Sequence, residues 1–95
     1  MEQTKKREKM EIKDIVESAK KSLAELTGFK SPSAIGVSKD GEMWQVIIEI
    51  TEKPSAASNL EMLGIYEVHL DVNGNLLGYM RKEIRKRGDI QRESI

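Results

Sequence analysis

The segment EMWQVIIEITE, residues 42–52, alternates strictly between two sets of side chains. Trp44, Val46, Ile48 and Ile50 fall on one side, and Met43, Gln45, Ile47, Glu49 and Thr51 on the other. A period of two, with β-branched residues at the apolar positions, predicts a strand with one face in a core. The run is long for a strand and is expected at the centre of a sheet. A second alternating run, 65–72, sets Tyr66, Val68, Leu70 and Val72 against Ile65, Glu67, His69 and Asp71. Asn73-Gly74 follows it. This pair signals a type I′ hairpin turn, which needs φ > 0 at both central residues, so a further strand from 75 to about 84 is expected to pair antiparallel with 65–72. Gly78 inside that strand points to a bulge or a close approach.

Two weaker elements complete the sheet. Residues 33–38 predict a short strand with Ile35 and Val37 inward, joined to the long strand through Lys39-Asp40-Gly41-Glu42, with Asp-Gly as the turn signal. Pro54 ends the long strand because it cannot continue a ladder. Residues 53–63 have no clear period and predict a loop with a helical turn near 59–62; loops of this length in small domains are often functional.

Before the sheet, Ile12, Ile15, Val16, Ala19, Leu23 and Leu26 recur at helical spacing, with Lys13, Asp14, Glu17, Lys20, Lys21 and Glu25 between them. This is the pattern of an amphipathic helix of about four turns. Glu17 and Lys21 form a favourable i,i+4 pair, and Gly28 supplies a left-handed C-cap. The helix is expected to pack on the sheet through Trp44, Val46, Ile48, Tyr66, Val68 and Leu70. Glu49, Glu67, His69 and the charges of the last strand are left on the other face. The fold class is therefore α+β: one N-terminal helix on a four-stranded antiparallel meander. Residues 1–10 read as a disordered charged lead-in, 11–87 as a single domain, and 88–95 as a polar tail.

Composition narrows the function. Ninety-five residues suit one small domain, and the absence of cysteine excludes disulfides and thiolate metal sites. No apolar run approaches the roughly 18 residues of a membrane span. The first ten residues lack an apolar signal core and do not read as a secretory signal. Net charge is zero but unevenly placed: residues 1–10 carry four basic and two acidic groups, residues 78–95 six and three, and residues 11–77 six and eleven. Basic ends around an acidic middle favour contacts with a charged partner.

Catalytic chemistry finds little support. His69 alternates with Glu67 and Asp71, but same-face strand neighbours lie about 7 Å apart, too far for a compact metal or acid–base site without ligands from other strands. Glu49 and Glu67 are expected near one another on adjacent strands, with Arg81 placed to neutralise them. No phosphate-binding glycine loop and no nucleophile elbow occurs, and no cofactor, metal or small-molecule substrate is expected. Arg81, Lys82, Arg85, Lys86 and Arg87 form a basic cluster. With Lys5, Lys6 and Lys9 it defines the alternative function, a nucleic-acid-binding regulator.

The whole set of stretches resembles the gas vesicle protein O (GvpO) family over about residues 12–87. The matching residues are Trp44, Val46, Glu49 and Glu52 in the long strand, Pro54 after it, Tyr66-Glu67-Val68 with Asp71, and Asn73-Gly74. Leu77-Gly78-Tyr79 with Arg81 and the basic end at 85–87 complete the match. Two positions depart from the family pattern. Lys53-Pro54-Ser55-Ala56 stands where an Arg-x-Pro-Asp/Glu segment is usual, and Glu83-Ile84 replaces an Arg-Tyr pair. The resemblance implies a non-enzymatic, cytoplasmic accessory protein for gas vesicle formation. It would be associated with the vesicle and act by contacts with other gas vesicle proteins, the wall protein among them. The expected contact residues are Glu49, Glu52, Glu67, Arg81, Arg85 and Arg87, with Leu60 and Met62 from the irregular loop. On topology alone, a helix followed by an antiparallel meander also resembles PepSY-like modules.

Overall fold

A computed structural model of the chain describes residues 10–53 and 61–86. Helix α1 (Ile12–Thr27) is followed by β1 (Lys30–Asp40), β2 (Met43–Lys53), β3 (Met62–Leu70) and β4 (Leu76–Lys86). The strands form one antiparallel sheet in the order β1-β2-β3-β4. The α+β meander expected from the two alternating runs is the observed architecture.

The apolar stripe of α1 is narrower than its sequence. Ile15, Ala19 and Leu23 are fully buried, while Ile12 and Leu26, near the two ends, are more than half exposed. The ion pair on the outer face is Glu17–Lys20 at 3.2 Å rather than Glu17–Lys21. At the C-terminus Gly28 adopts φ 77° and donates its N–H to the Ala24 carbonyl. Thr27 closes the same turn: its hydroxyl donates to the Leu23 carbonyl and accepts from the Phe29 N–H. This satisfies orphan carbonyls of the last turn and aims the chain into β1.

The buried stripe meets Val46, Ile48 and Ile50 of β2 and Tyr66, Val68 and Leu70 of β3 in one cluster. Trp44 is a partly buried neighbour of that cluster, with the Lys39 ammonium 5.1 Å above its ring. Of the two expected aromatic anchors, Tyr66 is therefore in the core and Trp44 at its margin. The helix lies mainly over β1, so the β4 side of the helix face is thinly covered, and Tyr79 and Ile84 remain exposed there.

The first hairpin departs from simple alternation. Asp40 pairs with Met43, so the two-residue loop is Gly41-Glu42, with positive φ at Gly41. That is the position a II′-type turn reserves for glycine. A register shift then falls between Ala34 and Gly36: Val37 faces Val46, but Ala34, not Ile35, faces Ile48. The extra residue of the bulge is why Ile35 is exposed rather than inward. Val37 lies opposite a core residue at the sheet edge and stays 40% exposed. β1 is also longer than the expected 33–38, because Ser31, in the left-handed region, and a second register shift carry pairing back to Lys30.

β3 begins at Met62, three residues before the apparent start of alternation, so the helical turn expected near 59–62 does not include Met62. Residues 54–60, with Pro54 and Leu60, lie outside the described residues. The second hairpin is not a I′ turn. Asn73 has no positive φ, and only Gly74 does, at 85°. Gly74 donates to the Asp71 carbonyl at 3.0 Å, and Asp71 donates to the Asn75 carbonyl at 3.0 Å. This is a three-residue loop, in which a first turn is followed by a left-handed glycine.

Asp71 organises that loop. One carboxylate oxygen accepts the N–H groups of Asn73 and Asn75, each at 2.9 Å, and the other accepts the Asn75 side-chain amide. These bonds, that of the Asn75 backbone foremost, hold its carboxyl below the ordinary value. A depressed folded-state pKa contributes stability that is present above the unfolded pKa and lost as pH falls through the lowered one. The stability of Asp71→Asn, followed by urea denaturation, is therefore expected to fall less steeply than wild type between neutral pH and the bottom of the carboxylate range; parallel curves would show the bonds contribute nothing. The loop also ties the helix down: Ser18 donates its hydroxyl to the Gly74 carbonyl at 2.7 Å. The N–H of Met10 donates to the Val72 carbonyl, and the Met10 side chain packs on the core. Among the described residues, no helix is long and apolar enough to cross a membrane.

Candidate functional site

Antiparallel pairing decides which charged side chains meet. On β2, alternation carries Glu52 to the helix face after Ile48 and Ile50. On β3 and β4, Tyr66 and Arg81 are register partners, so they share a face. The three converge beyond the main core. The Tyr66 hydroxyl donates to Glu52 Oε2 at 2.9 Å, and Arg81 donates from Nε to Oε2 at 3.2 Å and from Nη2 to Oε1 at 2.7 Å. The Glu52 side chain is only 7% exposed, against 48% for Arg81. A two-pronged guanidinium–carboxylate pair of this kind is both strong and directional.

The floor under the Glu52 carboxylate is Gly64, opposite Ile50 on β3. A Cβ there would collide with the Glu52 carboxylate and come within 2.8 Å of the Tyr66 ring. Burial, then the hydrogen bond to Glu52, raises the Tyr66 phenol above its ordinary value, and the Glu52 contact raises Arg81. The Tyr79 ring lies 6.1 Å from that of Tyr66. A cleft of about 230 Å³ adjoins the group, lined by Phe29, Glu52, Lys53, Met62 and Ile84. The arrangement is a clasp across β2, β3 and β4, with its carboxylate already saturated by donors.

The opposite face, which the helix does not pack against, carries the remaining charges as a ladder, and at its Met62 end Thr51, Leu63 and Ile65 are buried. Arg85 lies 3.7 Å from Glu49 and 3.5 Å from Glu83. Lys82 and His69 each lie 3.2 Å from Glu67. Beside the ladder, toward the β1–β2 turn, sits a hollow of about 300 Å³ lined by Met43, His69, Leu77, Gly78, Tyr79 and Met80. Gly78 has open space where a side chain would be. The bulge expected around it falls at Leu77, between the pairs His69–Gly78 and Leu70–Leu76, with no close approach.

The sequence-predicted residues therefore separate into two groups. Glu52 and Arg81 meet on the helix face. Glu49, Glu67 and Arg85 lie on the open face, where Arg85, not Arg81, reaches Glu49. Glu49 and Glu67 are diagonal rather than opposed: Glu49 faces Ile65, and Glu67 faces Ile47. Met62 borders the cleft beside Glu52, and Leu60 and Arg87 lie outside the described residues. Asp71, a same-face neighbour of His69 by alternation, is engaged by its own turn. Among the described residues no three His, Asp or Glu side chains gather as a metal site. The basic run 81–86 does not form one patch, since Arg81 points to one face and Lys82 and Arg85 to the other, each against a carboxylate.

Gly64 is the important residue that pattern reading passes over. Its signal is present in the sequence, because it takes a core-phase position two before Tyr66 where an apolar side chain is expected. The Glu52 and Tyr66 contacts explain why it is empty.

The family model described as gas vesicle synthesis protein GvpO matches residues 1–91. A gas vesicle protein O from Streptomyces sp. (strain CB03234) is 32% identical over 74 residues, covering 78% of this chain and 58% of its own length. The gas vesicle protein O of Haloferax mediterranei is 26% identical over 83 residues, covering 86% and 59%. Gas vesicle protein O1 of Halobacterium salinarum is 27% identical over 75 residues, covering 79% and 63%. The chain thus spans about three fifths of the length of these relatives. No solved structure matches. With the family model covering nearly every residue, the chain belongs to the GvpO family of gas vesicle synthesis proteins.

Proposed function

We propose that the chain serves gas vesicle formation as a non-enzymatic accessory in the cytoplasm, acting through contacts with other gas vesicle proteins. The observation that carries this reading is the sheet face that no described element covers. Exposed Met43, Leu77 and Met80 lie beside a ladder whose acids and bases already neutralise one another. A face of this kind offers apolar area for burial and a charge pattern for register, the two ingredients of a specific contact. Its charged groups Glu49, Glu67, Glu83, Lys82 and Arg85 are engaged with one another, with His69 against Glu67.

The test is a pull-down of the tagged chain from cells expressing gas vesicle proteins, after nuclease treatment. Arg85→Glu is expected to reduce recovery of gas vesicle proteins about tenfold, the equivalent of about 1.4 kcal/mol. The paired exchange Glu49→Arg with Arg85→Glu restores the internal ion pair but reverses the pattern shown to a partner, and it is expected to remain defective. Recovery unchanged in both variants overturns the contact role. Recovery that depends on nucleic acid supports the regulator instead.

A further inference from the structure

We infer that the partner on the open sheet face is a second copy of this chain, packed face to face about a two-fold axis running along the strands. The inference rests on the contact reading above and names its occupant. Register gives the argument. One row across the open face reads Gly36, Ile47, Glu67, Met80 from β1 to β4, and the next reads Ser38, Gln45, His69, Gly78. Along β1 the paired open-face positions Ser33, Gly36 and Ser38 are small, with the unpaired, exposed bulge residue Ile35 next to Gly36. Along β4, Leu77 and Met80 are large and more than half exposed. A two-fold parallel to the strands lays β4 of each copy on β1 of the other. Met80 then sits over Gly36 beside Ser38, and the bulky edge of each sheet fills the shallow edge of its mate. Met43 and Met80, unbranched and adaptable, can settle into the hollow over Gly78.

Charge and area point the same way. The open-face acids Glu49, Glu67 and Glu83 stand against Lys82, Arg85 and His69, so the face carries no dominant sign that would select an acidic or basic partner. Lys30 and Arg85 meet only at the far corner, where Arg85 is held by Glu49 and Glu83. Four strands at about 4.8 Å and nine residues at about 3.3 Å give a face of roughly 600 Å². Two copies therefore bury roughly 1,200 Å², above the ~1,000 Å² expected of a specific interface. Sheets stacked this way pack about 10 Å apart, turned by about 30°.

Analytical ultracentrifugation of the full chain, from about 1 μM to about 1 mM, tests this. The wild type is expected to pass from one to two chain masses. Met80→Asp on β4 and Ser38→Arg on β1, both at exposed positions, are each expected to weaken the dimer at least tenfold with helix content unchanged by circular dichroism. Ile84→Asp, on the helix face of the same strand and away from the hollow, is expected to leave it intact. A wild type monomeric throughout overturns the inference, as does a dimer indifferent to both open-face variants. A monomer that still captures gas vesicle proteins through Met80 overturns only the choice of occupant and leaves the contact reading standing.

Discussion

Gly64→Val is expected to abolish folding, and Gly64→Ala to cost about 2 kcal/mol or more in urea denaturation. The backbone at Gly64 does not need a left-handed conformation, so the cost is steric. The new Cβ meets the Glu52 carboxylate and the Tyr66 ring, and neither can swing away freely. Glu52 is fixed by three hydrogen bonds, and Tyr66 is packed in the core. Moving the carboxylate would strand the Tyr66 hydroxyl, and an unsatisfied buried donor costs about 1–3 kcal/mol. A domain of this size has only about 5–10 kcal/mol in hand, so valine, two methyl groups larger than alanine, exceeds what the clasp can absorb. The mechanism makes a second, sharper prediction. In a Glu52→Ala background the carboxylate is gone, and the added cost of Gly64→Ala is expected to fall by about half. The Tyr66 contact remains, so it does not vanish. Additive costs in that cycle would mean that the glycine is needed for some reason other than Glu52. Wild-type stability for Gly64→Ala would remove the clasp as a packing constraint altogether.

The clasp also shows where sequence reading reaches its limit. Period-two alternation located β2 and, three residues late, the start of β3, because each strand sets a nearly continuous apolar row toward the helix. It could not join Glu52, Tyr66 and Arg81, which lie on three strands. Their meeting depends on pairing register, and register depends on bulges. Shifts at Leu77 and Lys82 set which residues of β4 face the helix. A shift between Ala34 and Gly36 turned Ile35 outward against its hydrophobicity. The two turns were located by their glycines, yet the type I′ geometry expected at Asn73-Gly74 is not the one observed. In the first the loop begins one residue later than Asp-Gly suggests, and in the second Asp71, outside the Asn-Gly pair, supplies the bonds. The basic run 81–86 looked like one patch because adjacency in sequence hides the alternation of a strand. The family resemblance, in contrast, depended on order and spacing alone, and needed no register.

Neighbouring isoleucines on β2 provide the direct test of this two-faced sheet. Ile48→Ala is expected to destabilise the domain by about 3–4 kcal/mol, whereas Ile47→Ala costs the isolated monomer less than about 1 kcal/mol. Ile48 is fully buried in the core cluster that also holds Ile15 and Leu23, opposite Ala34 on one side and Tyr66 on the other. Truncation there leaves a cavity that β2, hydrogen-bonded on both edges, cannot collapse to fill. Ile47 points to the open face, between Gly36 and Glu67, and only part of its surface is covered. Truncation there removes little buried contact within one chain. The measurement is urea denaturation of both variants at a protein concentration of about 1 μM, low enough to populate the monomer. Equal costs at the two positions would mean that both faces are covered within a single chain, and the open face would cease to be a docking surface. If instead the Ile47→Ala cost grows as concentration rises while that of Ile48→Ala does not, the second copy is the covering layer, because only an interface residue gains stability by mass action.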